Sequence, residues 1–354
     1  MTQTHFFLGA NSAEGFFSLY DELLSAPLRD LAILKGGPGC GKSTLMRRAA
    51  AAMTARGEDV IFIHCSGDPD SLDGVLFPRL RAGLVDGTAP HILEPRYMAA
   101  RERYVDLSPC YDLAAAKALA PELTACADAY RAAYAGAYHA LRALGGIESE
   151  RRALVRAVFD EKKLLRRAEG IAARELKGRG LGAGRTARAF LGTLTAQGAL
   201  EHFETAQALC PRVYELCDGF GLAAPALRLL YRAALDVGED ALLCPDPLFP
   251  TQPRHLLVPS RGVAFLTTEP TARPVGKPYR RLRIDSLAED SLDHAQRARL
   301  RLLRRLRREL EQETVDALAR AKSGHDALET LYRPCVDFSA VDALCERELA
   351  RLRA

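Results

Sequence analysis

Leu31-Ala32-Ile33-Leu34-Lys35-Gly36-Gly37-Pro38-Gly39-Cys40-Gly41-Lys42-Ser43-Thr44 is an apolar run that breaks into a glycine-rich turn, and Leu45-Met46-Arg47-Arg48-Ala49-Ala50-Ala51-Ala52-Met53 continues it with a helical pattern. Gly36 to Ser43 fit G-x-x-x-x-G-K-[ST]. In that pattern glycines let backbone N–H groups converge on an anion, the lysine reaches the outer phosphates and the hydroxyl holds Mg²⁺. A helix opening at such a turn adds roughly half a positive charge at its mouth. The stretch predicts an α/β fold whose phosphate cradle is Gly36, Gly37, Pro38, Gly39, Cys40, Gly41, Lys42, Ser43 and Thr44.

Outward from the cradle, Asp59 to His64, Arg81 to Asp86 and Arg103 to Leu107 are short apolar segments that alternate with helical ones, the pattern of a parallel sheet. From about Asp112 to Lys177 the chain is rich in Ala, Leu and Arg and is interrupted at Gly145-Gly146, which predicts a helical hairpin. The alternate glycines of Gly178-Arg179-Gly180-Leu181-Gly182-Ala183-Gly184-Arg185 suit neither helix nor strand and read as a linker.

Beyond the linker the pattern restarts. Phe7-Leu8-Gly9 with Ala13 and Gly15 returns as Phe190-Leu191-Gly192 with Ala196 and Gly198, and Gly57-Glu58-Asp59 returns as Gly238-Glu239-Asp240. Cys65 is matched with Cys244, Pro78 with Pro259, and the strand from Arg103 with one from Arg281. The expected organisation is a tandem repeat: residues 1–177 (core 1–109, helical arm 110–177), the linker 178–185, and residues 186–354 (core 186–286, arm 287–354). Gly219 and Gly221 align with Gly37 and Gly39, so Ala223-Ala224-Pro225 stand where Gly41-Lys42-Ser43 do, and Thr267 stands at Asp86. Alanine carries no charge for a phosphate, and proline has neither hydroxyl nor N–H. The second copy therefore reads as a pseudo-site.

A chain of 354 residues that is 48% hydrophobic suits two cores. A net charge of +4 excludes an obligate nucleic-acid binder. No apolar run approaches the ~18 residues of a membrane span, and the N-terminus lacks the pattern of a secretion signal. Nine cysteines without zinc or redox spacing predict free thiols in the cytoplasm and indicate no metal cluster.

Phosphoryl chemistry needs a cradle, a metal held by a hydroxyl and a strand-end carboxylate, and a group that orients the nucleophile. Asp86, ending an apolar strand, is the carboxylate that would share Mg²⁺ with Ser43. Asp70 or Asp73, on the edge where open sheets bind ligands, would orient water or accept a proton. The competing reading is a turn at Asp68-Pro69 with Ser71 capping a short helix. His64 and, more weakly, His91 read as structural residues, and Cys40 as a passive occupant or an oxidisable thiol. From Asp293 to Arg320 a basic amphipathic helix carries Arg297, Arg299, Arg301, Arg304, Arg305, Arg307 and Arg308. It is either a solvated face or a nucleic-acid contact that lacks stacking aromatics.

Together with Gly36 to Thr44, the segments His5-Phe6-Phe7, His64 to Gly74, Asp86 to His91, His325-Asp326 and Val336-Asp337-Phe338 resemble a family of uncharacterised bacterial ATP-binding proteins with a duplicated P-loop NTPase domain. The resemblance covers nearly the whole chain and implies ATP binding and a P-loop fold. In that family the second copy often looks like a working P-loop, and the degenerate copy here departs from it.

The expected function is ATP or other NTP hydrolysis with Mg²⁺ at one N-terminal site, the arms coupling nucleotide state to an unknown partner. Rivals are a small-molecule or nucleotide kinase using Asp70 or Asp73 as base, and a nucleotide-controlled nucleic-acid-binding module. The pseudo-copy would pack on the first as an internal pseudo-dimer, lending Arg228, Arg254 or Arg261 to the outer phosphate.

Overall fold

The computed structural model describes residues 1–178, 182–269 and 276–353, except the side chain of Glu289. Arg179, Gly180 and Leu181 of the expected linker lie outside the described residues. The first half runs β1 (Gln3–Phe7), β2 (Gly9–Ser12), β3 (Gly15–Ser18), α1 (Glu22–Ser25), β4 (Asp30–Lys35), α2 (Lys42–Ala55), β5 (Val60–His64), β6 (Leu72–Phe77), β7 (Ala82–Asp86) and β8 (Glu102–Asp106). Helices α3 (Leu113–Ala118), α4 (Ala120–Arg156) and α5 (Glu161–Glu175) follow. The second half runs β9 (Thr186–Arg188), β10 (Gly192–Thr195), β11 (Gly198–Glu201), α6 (Phe203–Leu209), β12 (Arg212–Cys217), α7 (Ala224–Asp236), β13 (Ala241–Pro245), β14 (Pro253–Val258), β15 (Val263–Thr268) and β16 (Arg280–Arg283). It closes with α8 (His294–Tyr332) and α9 (Phe338–Arg353).

The fold is α/β with two six-stranded sheets, ordered β1-β5-β6-β7-β4-β8 and β9-β13-β14-β15-β12-β16. Order and strand direction agree position by position. Both sheets are mixed, which corrects the expectation of parallel ones: β6 and β14 run antiparallel to both neighbours and the other pairs are parallel. The physical reason is chain length. Residues 65–71 and 78–81 join β5, β6 and β7, and a parallel crossover needs about a dozen residues. Strand β6 begins inside the Asp-rich segment, whose polar residues hid it. By register Gly74 matches His255, which places Cys244 at Ile63 and not at Cys65.

The arms are not hairpins. Helix α4 passes unbroken through Gly145 and Gly146. Gly145 serves a close approach instead, since a Cβ there would lie 2.7 Å from Ala13 Cβ. The chain turns later, where Asp160 accepts from the Lys163 N–H at 2.9 Å and caps α5. Helix α4 pairs antiparallel with α8: Cys126 Sγ lies 3.6 Å from Gly324 O at one end, and Arg299 holds Glu150 at 2.7 Å at the other. Leu164, Ala168 and Ile171 of α5 join the core of the second half with Leu216, Leu227 and Leu230. In return Val341, Leu344 and Cys345 of α9 join that of the first with Leu45, Met46 and Ala49. Each half's terminal helix thus completes the core of the other.

The halves meet through reciprocal contacts. Phe7 N–H donates to Phe190 O at 2.9 Å and Phe190 N–H to Phe7 O at 2.8 Å, inside a core that mixes residues of both. Beside it three imidazoles gather: His5 Nδ1 is 2.9 Å from His64 Nε2, and the His202 ring centre is 5.4 Å from that of His5 and 5.0 Å from that of His64. Burial, reinforced by a neighbouring imidazole, lowers all three pKa values. Below about pH 6.5 the unfolded chain binds protons that these folded rings resist, so they cost stability as pH falls and have no effect above that point. Urea midpoints should decline from about pH 6.5 to about pH 5, and His202→Gln should flatten the decline. An unchanged slope in the variant would remove the cluster as its cause.

Candidate phosphate-binding site

Strand β4, flanked by β7 and β8 and almost wholly buried, ends at Lys35, and α2 opens at Lys42. Between them Gly39 and Gly41 have φ of 71° and 87°, which glycine adopts at least cost. A Cβ on Gly39 would also approach the Glu329 carbonyl oxygen to 3.0 Å. Lys42 Nζ donates to the carbonyl oxygens of Gly36 and Gly37 at 2.7 and 2.9 Å, and stands 3.6 Å from Asp86 Oδ2. The register of β4 with β7 sets Leu34 opposite Asp86, which delivers this carboxylate to the turn. Asp86 Oδ1 is fixed by the Thr88 N–H at 2.8 Å and the Thr88 hydroxyl at 2.6 Å. Ser43 Oγ accepts from the Leu72 N–H at 3.1 Å. Pro38 O accepts from the Tyr111 hydroxyl at 3.2 Å. Thr44 is exposed, and Cys40 is packed into the core beneath α2.

The turn is covered from the other half. Glu329 Oε1, near the end of α8, accepts from the Gly39 N–H at 3.3 Å, and His325 Nε2 lies 3.4 Å from the same oxygen. The His325 hydrogen bond leads the influences that lower the Glu329 pKa, with the Gly39 amide and Lys42 adding to it. Tyr332, one turn on, sets its ring edge-on to Tyr111. A carboxylate thus occupies one of the inward amides. Nothing local in the sequence marks Glu329, which is 290 residues from Gly39.

The two candidate bases are both held by partners of their own. Asp70 is exposed and accepts from Gln197 Nε2 at 2.7 Å. Asp73 is buried, accepts from the Tyr20 hydroxyl at 2.8 Å and lies 3.2 Å from His91 Nε2. Burial is the main cause raising its pKa, and Asp86 is near enough to add to it. His64 is bound by Pro69 O at 2.8 Å and by His5, a structural role. Sequence spacing indicated no metal cluster, yet the fold brings Cys65, Asp73 and His91 together.

In the second half, Asp218 stands at the position of Gly36. Its carboxylate accepts from the N–H groups of Phe220 at 3.1 Å and Ala223 at 2.6 Å, and Asp285 takes the Gly219 N–H at 3.0 Å. Arg151 donates to Gly219 O at 3.0 Å and Arg152 to Phe220 O at 3.4 Å, as Lys42 does to the first turn. This turn is filled by side chains, Asp218 from the turn itself and Asp285 from beyond β16. Beside it a cavity of about 540 Å³ is lined by Asp218, Ala224, Thr267, Arg254 and Arg307. The candidate arginines are engaged away from the first turn: Arg228 with Gln252, Arg254 with Glu201 and Asp246, Arg261 with Glu239 and the Lys177 carbonyl. On α8, Arg299 and Arg307 bind Glu150, Glu148 and Glu269, while Arg301, Arg304 and Arg308 face solvent.

Comparison with protein-family models, curated proteins and solved structures found no match. No helix among the described residues is long and apolar enough to cross a membrane.

Asp218→Ala should strand the Phe220 and Ala223 amides and destabilise the chain by about 1–3 kcal/mol. The urea midpoint measures this. An unchanged midpoint would show that water replaces the carboxylate without loss.

Proposed function

We propose that the chain binds ATP with Mg²⁺ at Gly36–Thr44 and hydrolyses it at one site per chain. The reading rests on the strand–turn–helix in which Lys42 Nζ lies 3.6 Å from the Asp86 carboxylate while capping two loop carbonyls. An incoming triphosphate would draw the ammonium off those carbonyls, and Ser43 and Asp86 would hold Mg²⁺. Asp70 and Asp73, held by Gln197, Tyr20 and His91, give little support to a kinase base.

We also read the halves as tandem copies of a P-loop NTPase fold packed as an internal pseudo-dimer. The matching strand order, the reciprocal Phe7 and Phe190 hydrogen bonds and the exchanged arms support this. The self-filled turn at Asp218 supports a pseudo-site. Scattered free thiols favour the cytoplasm. Because Glu329 takes an amide the nucleotide needs, ATP would displace the end of α8 and pass its state through α4 and α9 to a protein or small-molecule partner.

Purified chain should release phosphate from ATP in Mg²⁺, and Lys42→Ala should abolish release. ATP at ~100 times its dissociation constant should stabilise the parent by about 2.7 kcal/mol and leave Lys42→Ala unmoved. A parent that neither melts later nor releases phosphate would end the proposal. Glu329→Ala should tighten ATP by about fivefold, since the competing hydrogen bond contributes about 1 kcal/mol. Equal affinity would free the arm of any competing role.

A further inference from the structure

We propose that Cys65, Asp73 and His91 form a binding site for a zinc-class divalent cation, separate from the Mg²⁺ position at Ser43 and Asp86. Three different segments supply the donors: Cys65 follows β5, Asp73 lies in β6, and His91 sits in the loop after β7. One ligand atom from each lies within 4.8 Å of the others. A tetrahedral zinc with bonds of about 2.0–2.3 Å sets its ligand atoms roughly 3.3–3.8 Å apart, so the side chains need close by only about 1 Å. His91 Nε2 and Asp73 Oδ2, at 3.2 Å, are near that spacing already.

The chemistry of the set selects the ion. A thiolate and an imidazole prefer zinc-like ions to Mg²⁺, which seeks all-oxygen coordination. One thiolate, one carboxylate and one neutral imidazole balance a divalent charge, so the loaded site is neutral where Asp73 and His91 are 5% and 6% exposed. Without an ion the buried Asp73 has a phenol, a thiol and an imidazole around it, none of them a permanent cation. His91 Nδ1 is buried with no hydrogen-bond partner, so the ring is held in this cluster through Nε2 on Asp73 Oδ2. The Tyr20 hydroxyl on Asp73 Oδ2 orients the carboxylate as outer partners of metal ligands do. Three protein ligands leave a fourth position for water or an exogenous ligand.

The test uses the full chain, stripped with chelator and titrated with Co²⁺ without nucleotide. One Co²⁺ per chain should bind with a thiolate-to-cobalt charge-transfer band that Zn²⁺ displaces. Cys65→Ser should lose the band, Tyr20→Phe should weaken binding about tenfold to a hundredfold, and Lys42→Ala should change nothing. The Lys42→Ala arm separates this site from the nucleotide reading. No band in the parent, or the same band in Cys65→Ser, would overturn the proposal. Should Cys65→Ser fail to fold, alkylation of the parent decides: Zn²⁺ must slow modification at Cys65, and equal rates with and without Zn²⁺ would overturn it as well.

Discussion

A turn that aims its backbone amides at one point leaves donors that its own backbone cannot satisfy, so a side-chain or external anion must accept them. Both halves obey this constraint and meet it differently. In the second, Asp218 and Asp285 supply carboxylates from the turn itself and from the segment after β16. In the first, the corresponding residue is Gly36, where a Cβ would lie 2.8 Å from Cys40 Sγ, and the anion is Glu329, reaching in from the far end of α8. A permanent internal anion makes a structural element. A borrowed one, on the reading proposed above, makes a site for which an external anion would compete.

The borrowing depends on the exchanged arms. Helix α8 has 39 residues, about 58 Å of continuous rise, and it starts in the second half and ends over the first turn. Its start is fixed by a capping box between Asp293 and Gln296, its middle by Arg307 on Glu148 and Glu269, and its end by Glu329 on Gly39. The next helix, α9, then packs on α2, which carries Lys42 and Ser43. Displacing Glu329 therefore acts on one rigid element whose neighbours belong to both sheets, whereas a lid on a short loop would relax locally.

The sequence was most legible where chemistry is local. The glycine turn, the helix behind it, the Asp86 strand and the absence of lysine, hydroxyl and carboxylate at the matching positions of the second half follow from residue types at fixed spacing. Strand β6 was missed because Asp68, Asp70 and Asp73 made the segment look like a loop, although its last four residues, Gly74-Val75-Leu76-Phe77, are buried except for the partly buried Leu76. Gly145-Gly146 was misread because glycine marks both a helix end and a close contact, and the deciding neighbour, Ala13, is distant in sequence. Asp218 could have been found, since the alignment sets it at Gly36. Glu329 and the exchange of the terminal helices could not: a helix that buries one apolar face carries no label saying which sheet receives it.

The same register position also separates the halves by charge. Gly74 and His255 match, so Asp73 and Arg254 are counterparts, a buried carboxylate in one half and a partly buried guanidinium in the other. Arg254 is answered within the protein by Glu201 at 3.0 Å, Asp246 at 3.6 Å and Glu269 at 4.0 Å. Asp73 is answered by the Tyr20 phenol and the His91 imidazole. Arg254 is thus met by fixed carboxylates, whereas none of the groups that meet Asp73 is a permanent cation. The second half meets both of its polar centres with carboxylates of its own, and on the reading proposed above the first leaves both to a ligand that can be exchanged.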